Sequence, residues 1–234
     1  MWIERSMQAE LLDGNDFSRE ELFRNLKELR LVNQFLGGHA NSVQIMKTCL
    51  DAGFIPKKVI DIGCGGGDSL EMLQKKYSGR LPEAVWTGCD LNALCLEYAR
   101  KNHPGKGISY EEKDFRAIRT EDEEPVLFHA SLFFHHFPEE EIVAFLSFVR
   151  KSGAAMIIND LQRHPLAWYG IKIIASLPGI SRLFRNDAPL SVKRGFLRSE
   201  WESMLDKAGY TSRKIQWAWA FRYLIYLPPH PQST

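Results

Sequence analysis

The sequence predicts an α/β protein: a three-layer sandwich whose seven-stranded, mostly parallel sheet ends in a C-terminal antiparallel hairpin. Three observations predict it. Short apolar runs alternate with helical periods from residue 57 onward, a glycine-rich turn follows the first run, and the chain closes on two successive strand patterns. Strands separated by helices need crossover connections, which make neighbouring strands parallel and place helices on both faces.

The elements follow in order. "SREELFRNLKELRLVNQFL" opens with Ser18 as N-cap and Glu21 as its capping-box partner, and sets Leu22, Leu26, Leu29 and Val32 on one face. Gly37 and Gly38 end this helix, and "NSVQIMKTCLDAG" reads as a second one stopped by Gly53. Residues 1–55 are therefore expected to form a helical cap over the site, ahead of a main domain over 56–234. In that domain "KKVIDIG", "EAVWTGCDL", "GISYEEKD", "PVLFHASLFF" and "GAAMIIND" read as strands, with "DSLEMLQKKY", "ALCLEYARKN" and "EEEIVAFLSFVR" as helices. An inserted lid is expected at about 161–198. After it come the helix "SEWESMLDKAG" and the hairpin strands "TSRKIQWAWA" and "FRYLIYL".

With 234 residues, 44% of them hydrophobic and 25% charged, the chain reads as a soluble globular protein of one domain's size. The net charge of +1 gives no global attraction to nucleic acid or anionic membrane, so no DNA partner is expected. Cys49, Cys64, Cys89 and Cys95 form neither a CxxC pair nor a zinc spacing, so no metal is expected, and the acidic N-terminal stretch does not resemble a signal peptide. A cytoplasmic location follows as the expectation. No apolar run reaches the roughly 18 residues of a membrane span; "WYGIKIIASLPGISRLF" is interrupted by Lys172 and Pro178.

The chemistry begins at "VIDIGCGGGDS". In parallel sheets a ligand sits beyond the carboxyl ends of the strands, where glycines let backbone approach it and a helix offers free N–H groups. Gly63, Gly65 and Gly67 lie at that place. Asp68 stands where a dinucleotide fingerprint needs glycine or alanine, an acid where a pyrophosphate would sit, and no Lys-Ser or Lys-Thr completes a P-loop.

"DIGCGGG" instead resembles the signature of class I S-adenosylmethionine-dependent methyltransferases, which have a Rossmann-like fold. The likeness continues in "GCDLNALCLEYAR" and "EKDFRAI" and covers roughly residues 57 to 227. It implies S-adenosyl-L-methionine as cofactor. Asp61, Gly63, Gly65 and Gly67 would border its methionine part, Asp90 the ribose hydroxyls, Leu91 an adenine face, and Asp114 with Phe115 the adenine edge. By residue type each acid also fits a helix cap or a solvated loop.

The acceptor side is less defined. Amino methyltransferases of this class carry an Asn/Asp-Pro-Pro-aromatic segment after the fourth strand, and "ASLFFHHFPEE" has none. His135, His136 and His164 are the candidate bases, since a neutral imidazole can take a phenol or enol proton. Packing or capping ahead of Pro138 and Pro165 explains the same histidines without chemistry, and His39 is a further polar group near the glycines. The stretch Trp168 to Phe184 would wall a hydrophobic acceptor pocket or simply cover the sheet.

The whole pattern resembles bacterial small-molecule methyltransferases of secondary metabolism. The expected reaction is methylation of an oxygen, or else a carbon, of a hydrophobic phenolic or polyketide-type molecule. The basic run Arg182, Arg185, Lys193, Arg194 and Arg198 keeps further readings open: a lid that meets a carboxylate, a carrier-bound substrate or a membrane surface, an RNA or protein methyltransferase, and a solvated face. A non-catalytic cofactor-binding subunit is the remaining alternative.

Overall fold

The computed structural model describes residues 4–14, 16–120 and 124–230. Seven strands form one sheet in the order β3-β2-β1-β4-β5-β7-β6: β1 Lys58–Ile62, β2 Val85–Asp90, β3 Ile108–Glu112, β4 Val126–Ser131, β5 Ala155–Leu161, β6 Lys214–Ala218 and β7 Arg222–Leu227. β1 to β5 run parallel, β7 lies antiparallel between β5 and β6, and the hairpin closes through Ala218 opposite Arg222. The chain reverses its winding on either side of β1, which opens a crevice at the carboxyl edge between β1 and β4.

Alternation along the strands sorts side chains to two faces. Ile60, Phe128 and Met156 point toward α5 (Glu139–Lys151) and α8 (Arg198–Lys207), where Phe145, Leu146, Trp201 and Met204 are buried. Val59, Leu127 and Ile157 point the other way, against α2 (Gly38–Asp51), α3 (Asp68–Tyr77) and α4 (Ala93–Asn102). α1 (Arg19–Phe35) carries the expected reciprocal cap between Ser18 and Glu21, and packs Leu22 and Leu26 on Cys95 and Tyr98 of α4.

Two expectations shift. The strand read over "PVLFHASLFF" stops at Ser131: Leu132 turns with φ 53°, and Phe134–His136 form a 3-10 turn. The segment between β5 and α8 is a pair of packed helices, α6 Pro165–Ala175 and α7 Arg182–Arg194. Among the described residues no helix is long and apolar enough to cross a membrane. Part of the acidic run after Phe115, residues 121–123, lies outside the described residues.

Candidate active site

β1 delivers Asp61 and the glycine turn to the crevice. Gly63 has φ +63°, and a Cβ there would stand 1.9 Å from the Phe133 ring, so the position admits only glycine. Gly65 has φ +50° and open space where a Cβ would be, a bare stretch of backbone facing the cavity. Gly67 does not line the cavity. It caps α3 in the left-handed region, close against Tyr110.

Asp90 ends β2. Its carboxylate accepts the Gly65 N–H at 2.9 Å and the Asn92 N–H at 2.8 Å, which fixes it while leaving a lone pair on each oxygen for a vicinal diol. Burial pushes its pKa above the usual carboxylate range. Leu91 and Phe115 line the same wall, Leu91 largely exposed and Phe115 set in a ring cluster with Phe133 and Phe137.

Asp114 is placed differently from its expected role. Its side chain caps the turn at Phe115–Ala117 and pairs with Arg116 at 2.5 Å, away from the cavity, because the guanidinium two residues on captures it. The neighbours Lys113 and Phe115 line the cavity instead.

Below the turn lies a buried polar chain that sequence reasoning missed. Asp61 Oδ1 is 2.7 Å from His129 Nδ1, His129 Nε2 is 3.2 Å from Ser42 Oγ, and Asn159 donates to Ser42 Oγ and to the Gly38 carbonyl. His129 sits in an apolar strand pattern, which hides it. Asp68 lines the cavity and pairs with His39 Nε2 at 2.5 Å.

The other end of the cavity is built from distant segments. His135, in the turn after β4, is buried with Nδ1 2.7 Å from Asp160 Oδ1 on β5, and Asp160 also accepts the Phe134 and Leu161 N–H groups. Burial opposes ionisation of Asp160, yet the His135 imidazole and the Leu161 N–H hold its carboxyl below the usual range. His136 Nδ1 is 2.8 Å from Asp13 Oδ1, and His135 Nε2 is 3.9 Å from Glu10 Oε1. Burial pushes Glu10 up to about 7.

His135 and His136 therefore line the cavity and His164 does not. His164 caps α6 by accepting the Leu166 N–H, and its ring stacks on Phe221. Glu10 and Asp13 were not expected at the site. Their only signal is two acids spaced three apart before a glycine, a spacing that sets both on one side of a turn.

The cavity encloses about 1130 Å³, at or above the usual upper size for a single small-molecule site, so a cofactor and an acceptor both fit. Leu29, Val32 and Leu36 of α1, Ile171 and Ile174 of α6, and Phe184 of α7 give it apolar walls, with Asn33, Asp187, Ser191 and Arg222 as polar groups among them.

A mostly parallel sheet of this order, a glycine turn after β1 and an acid ending β2 are the arrangement expected of the class I S-adenosylmethionine-dependent methyltransferases that the sequence resembles. A methyltransferase domain family matches residues 59–152, the segment carrying β1 to β4, the glycine turn and the acid that ends β2. Over 73 residues it is 36% identical to a trans-aconitate 2-methyltransferase of Methylobacterium nodulans, covering 31% of this chain and 26% of that relative. It is 29% identical over 129 residues to a ubiquinone biosynthesis O-methyltransferase of Pasteurella multocida, about half of each chain. The chain thus spans only about a quarter to a half of these curated relatives. The plantazolicin methyltransferase BpumL, solved in complex with S-adenosylhomocysteine, shares the fold at TM-score 0.60 and 16% identity, covering 90% of this chain and 96% of that one.

Proposed function

We propose that the chain transfers a methyl group from S-adenosylmethionine to an oxygen of a hydrophobic small molecule of phenolic or polyketide type. The observation that carries this reading is one continuous cavity: a glycine turn and a ribose-type carboxylate stand at one end, the His135–Asp160 pair stands at the other, and apolar side chains lie between.

The residues at the cofactor end fit the group. Gly65 leaves room for close approach, Asp90 keeps two lone pairs for the ribose hydroxyls, and Asp61 and Asp68 suit an ammonium and a sulfonium. Asn25 Oδ1 is buried at the cavity wall with no hydrogen-bond partner among the described residues, an acceptor that a bound ligand would satisfy. When bound, the sulfonium supplies an electrophilic methyl group. What the chain adds is alignment and dryness: α1, α6 and α7 wall off water, and holding the two reactants in line supplies much of the acceleration.

An acceptor hydroxyl must also lose its proton, and the corner formed by Glu10, His135 and His136 is where the oxygen would be prepared. Asp160 binds His135 through Nδ1 and leaves the Nε2 lone pair turned to Glu10. The carboxylates here, Glu10, Asp13 and Asp160, suit the hydroxyl of a neutral phenol or enol, with Arg194 on Asp13 and with Lys113 and Arg222 as the cations along the wall.

The exposed face of α6, Leu166, Tyr169 and Ile173, with Leu177 just beyond the helix, borders the cavity walls and offers an entry for an apolar acceptor, free or held at a membrane surface. The basic run is largely engaged. Arg182 pairs with Glu21, Arg198 pairs with Glu202, Arg194 is buried on Asp13, and Arg185 donates to backbone carbonyls. This supports a small acceptor over a polynucleotide.

The test is incubation of the purified chain with S-adenosylmethionine and a panel of phenols and polyketide-type enols, read by mass spectrometry. His135→Ala is expected to lower the rate roughly 10²–10⁴-fold with S-adenosylhomocysteine affinity unchanged by calorimetry, whereas Asp90→Ala abolishes that affinity. Wild-type chain that binds S-adenosylhomocysteine but methylates no member of the panel would refute the reading in favour of a non-catalytic binding subunit.

A further inference from the structure

Glu10, His135 and His136 meet at the acceptor end of the cavity with one ligand atom of each, a carboxylate oxygen and two imidazole nitrogens, within 4.8 Å of one another. Both imidazoles give Nδ1 to a carboxylate, His135 to Asp160 and His136 to Asp13. Carboxylates in that position fix the tautomer, orient the ring and raise the basicity of Nε2, as they do behind metal-bound histidines. His135 Nε2 and Glu10 Oε1, 3.9 Å apart, are too distant to hydrogen-bond each other. Two ligands of a tetrahedral ion at about 2.1 Å stand roughly 3.4 Å apart, so a small inward movement of the side chains closes the set.

We propose that Glu10, His135 and His136 bind a divalent transition-metal ion whose remaining coordination positions face the acceptor pocket. Two histidines and one carboxylate with open positions is a donor set suited to zinc, iron(II) or their neighbours. Three carboxylates, Glu10, Asp13 and Asp160, converge on the corner, and Asp13 has a guanidinium in hydrogen-bond contact, Arg194 at 2.6 Å. Arg194 stands 3.8 Å from Glu10, and its other nitrogens donate to the carbonyls of His135 and His136, bracing the backbone of both ligands. Arg5 donates to the His135 carbonyl, and Arg5 and Arg222 face Asp160 from farther off.

The role of the ion rests on the methyl-transfer reading, but its binding does not. Bound there, the ion would supply Lewis acidity to an acceptor hydroxyl, whose proton would then pass to water rather than to His135, because Nε2 would be a ligand. No local spacing marks this set, because its members come from two distant segments and involve no cysteine.

The probe is Co2+, whose visible absorption reports nitrogen and oxygen coordination. The chain, stripped with a chelator, is expected to bind one Co2+ with d–d bands that Zn2+ abolishes. Glu10→Gln and His136→Gln should each weaken Co2+ binding roughly tenfold or more, with melting temperature and S-adenosylhomocysteine affinity as folding controls. Asp160→Asn, which touches no metal ligand atom, should weaken it too and alter the d–d spectrum. Absence of stoichiometric Co2+ binding in the wild-type chain would overturn the site, as would undiminished binding in both ligand variants. S-adenosylhomocysteine binding, measured alongside, reports separately on the methyl-transfer reading.

Discussion

Gly63 and Gly65 share a left-handed backbone but differ in what surrounds them, and that difference separates folding from binding. An alanine at 63 drives its Cβ into Phe133, whose ring belongs to the cluster around Phe115. Overpacking adds about 1–3 kcal/mol to the left-handed penalty of about 1–2 kcal/mol. Gly63→Ala should therefore lower stability by roughly 2–5 kcal/mol in chemical denaturation. At 65 the Cβ meets nothing within 4 Å, so Gly65→Ala should lose only about 1–2 kcal/mol of stability. Its S-adenosylhomocysteine affinity should nevertheless fall tenfold or more by calorimetry, roughly 1.4 kcal/mol, because the new methyl group occupies space at the cavity wall. Equal losses of affinity per unit of stability in the two variants would contradict this division. The strand end at Asp90 was legible from the pattern around it, whereas its reach back to the Gly65 N–H, 25 positions earlier, and the fold-back of Arg116 onto Asp114 are side-chain contacts that no spacing in the sequence shows.

α7 does more than roof the cavity. Asp187 is buried on it and accepts the backbone N–H groups of Leu11 and Leu12 at 2.8 and 3.0 Å, while Ser191 donates to Glu10 and Arg194 donates to Asp13. The N-terminal segment thus hangs from one helix face, and this attachment brings Glu10 and Asp13 to the histidines. Hydrogen bonds to a charged group contribute about 1.5–3 kcal/mol each, so Asp187→Ala should loosen the segment. Limited proteolysis is expected to cut near residues 8–14 in that variant, with methyl-transfer activity falling while S-adenosylhomocysteine affinity holds. A variant equally resistant to protease would show that the segment is held elsewhere. Periodicity located α1, α5 and α8 because each carries an apolar face at helical spacing. The lid was harder, since the sequence reads Trp168 to Phe184 as one apolar stretch while the chain breaks it at Ser176 and starts again behind the Ser181 cap.

Across the whole molecule, the cavity lies between the carboxyl edge of the sheet and the helices α1, α6 and α7, so a ligand filling it touches both halves of the fold. Ligand binding to the folded state alone should raise stability by about 2.7 kcal/mol at a hundredfold excess over Kd. For a chain of this size that is a rise of roughly 5–10 °C in melting temperature, measurable by thermal shift with S-adenosylhomocysteine. No shift would remove the cavity's cofactor half.

Sequence alone determined the α/β class, the strand and helix order and the cofactor turn, because each is written in spacings of a few residues along a single segment. The acceptor corner was decided only by tertiary structure. His135 and Asp160 lie 25 positions apart, His136 and Asp13 lie 123 apart, and no local pattern pairs them. Burial at the cavity wall forces each polar group there to find a partner from whatever segment the packing delivers, and the sheet and α7 together set which segments those are.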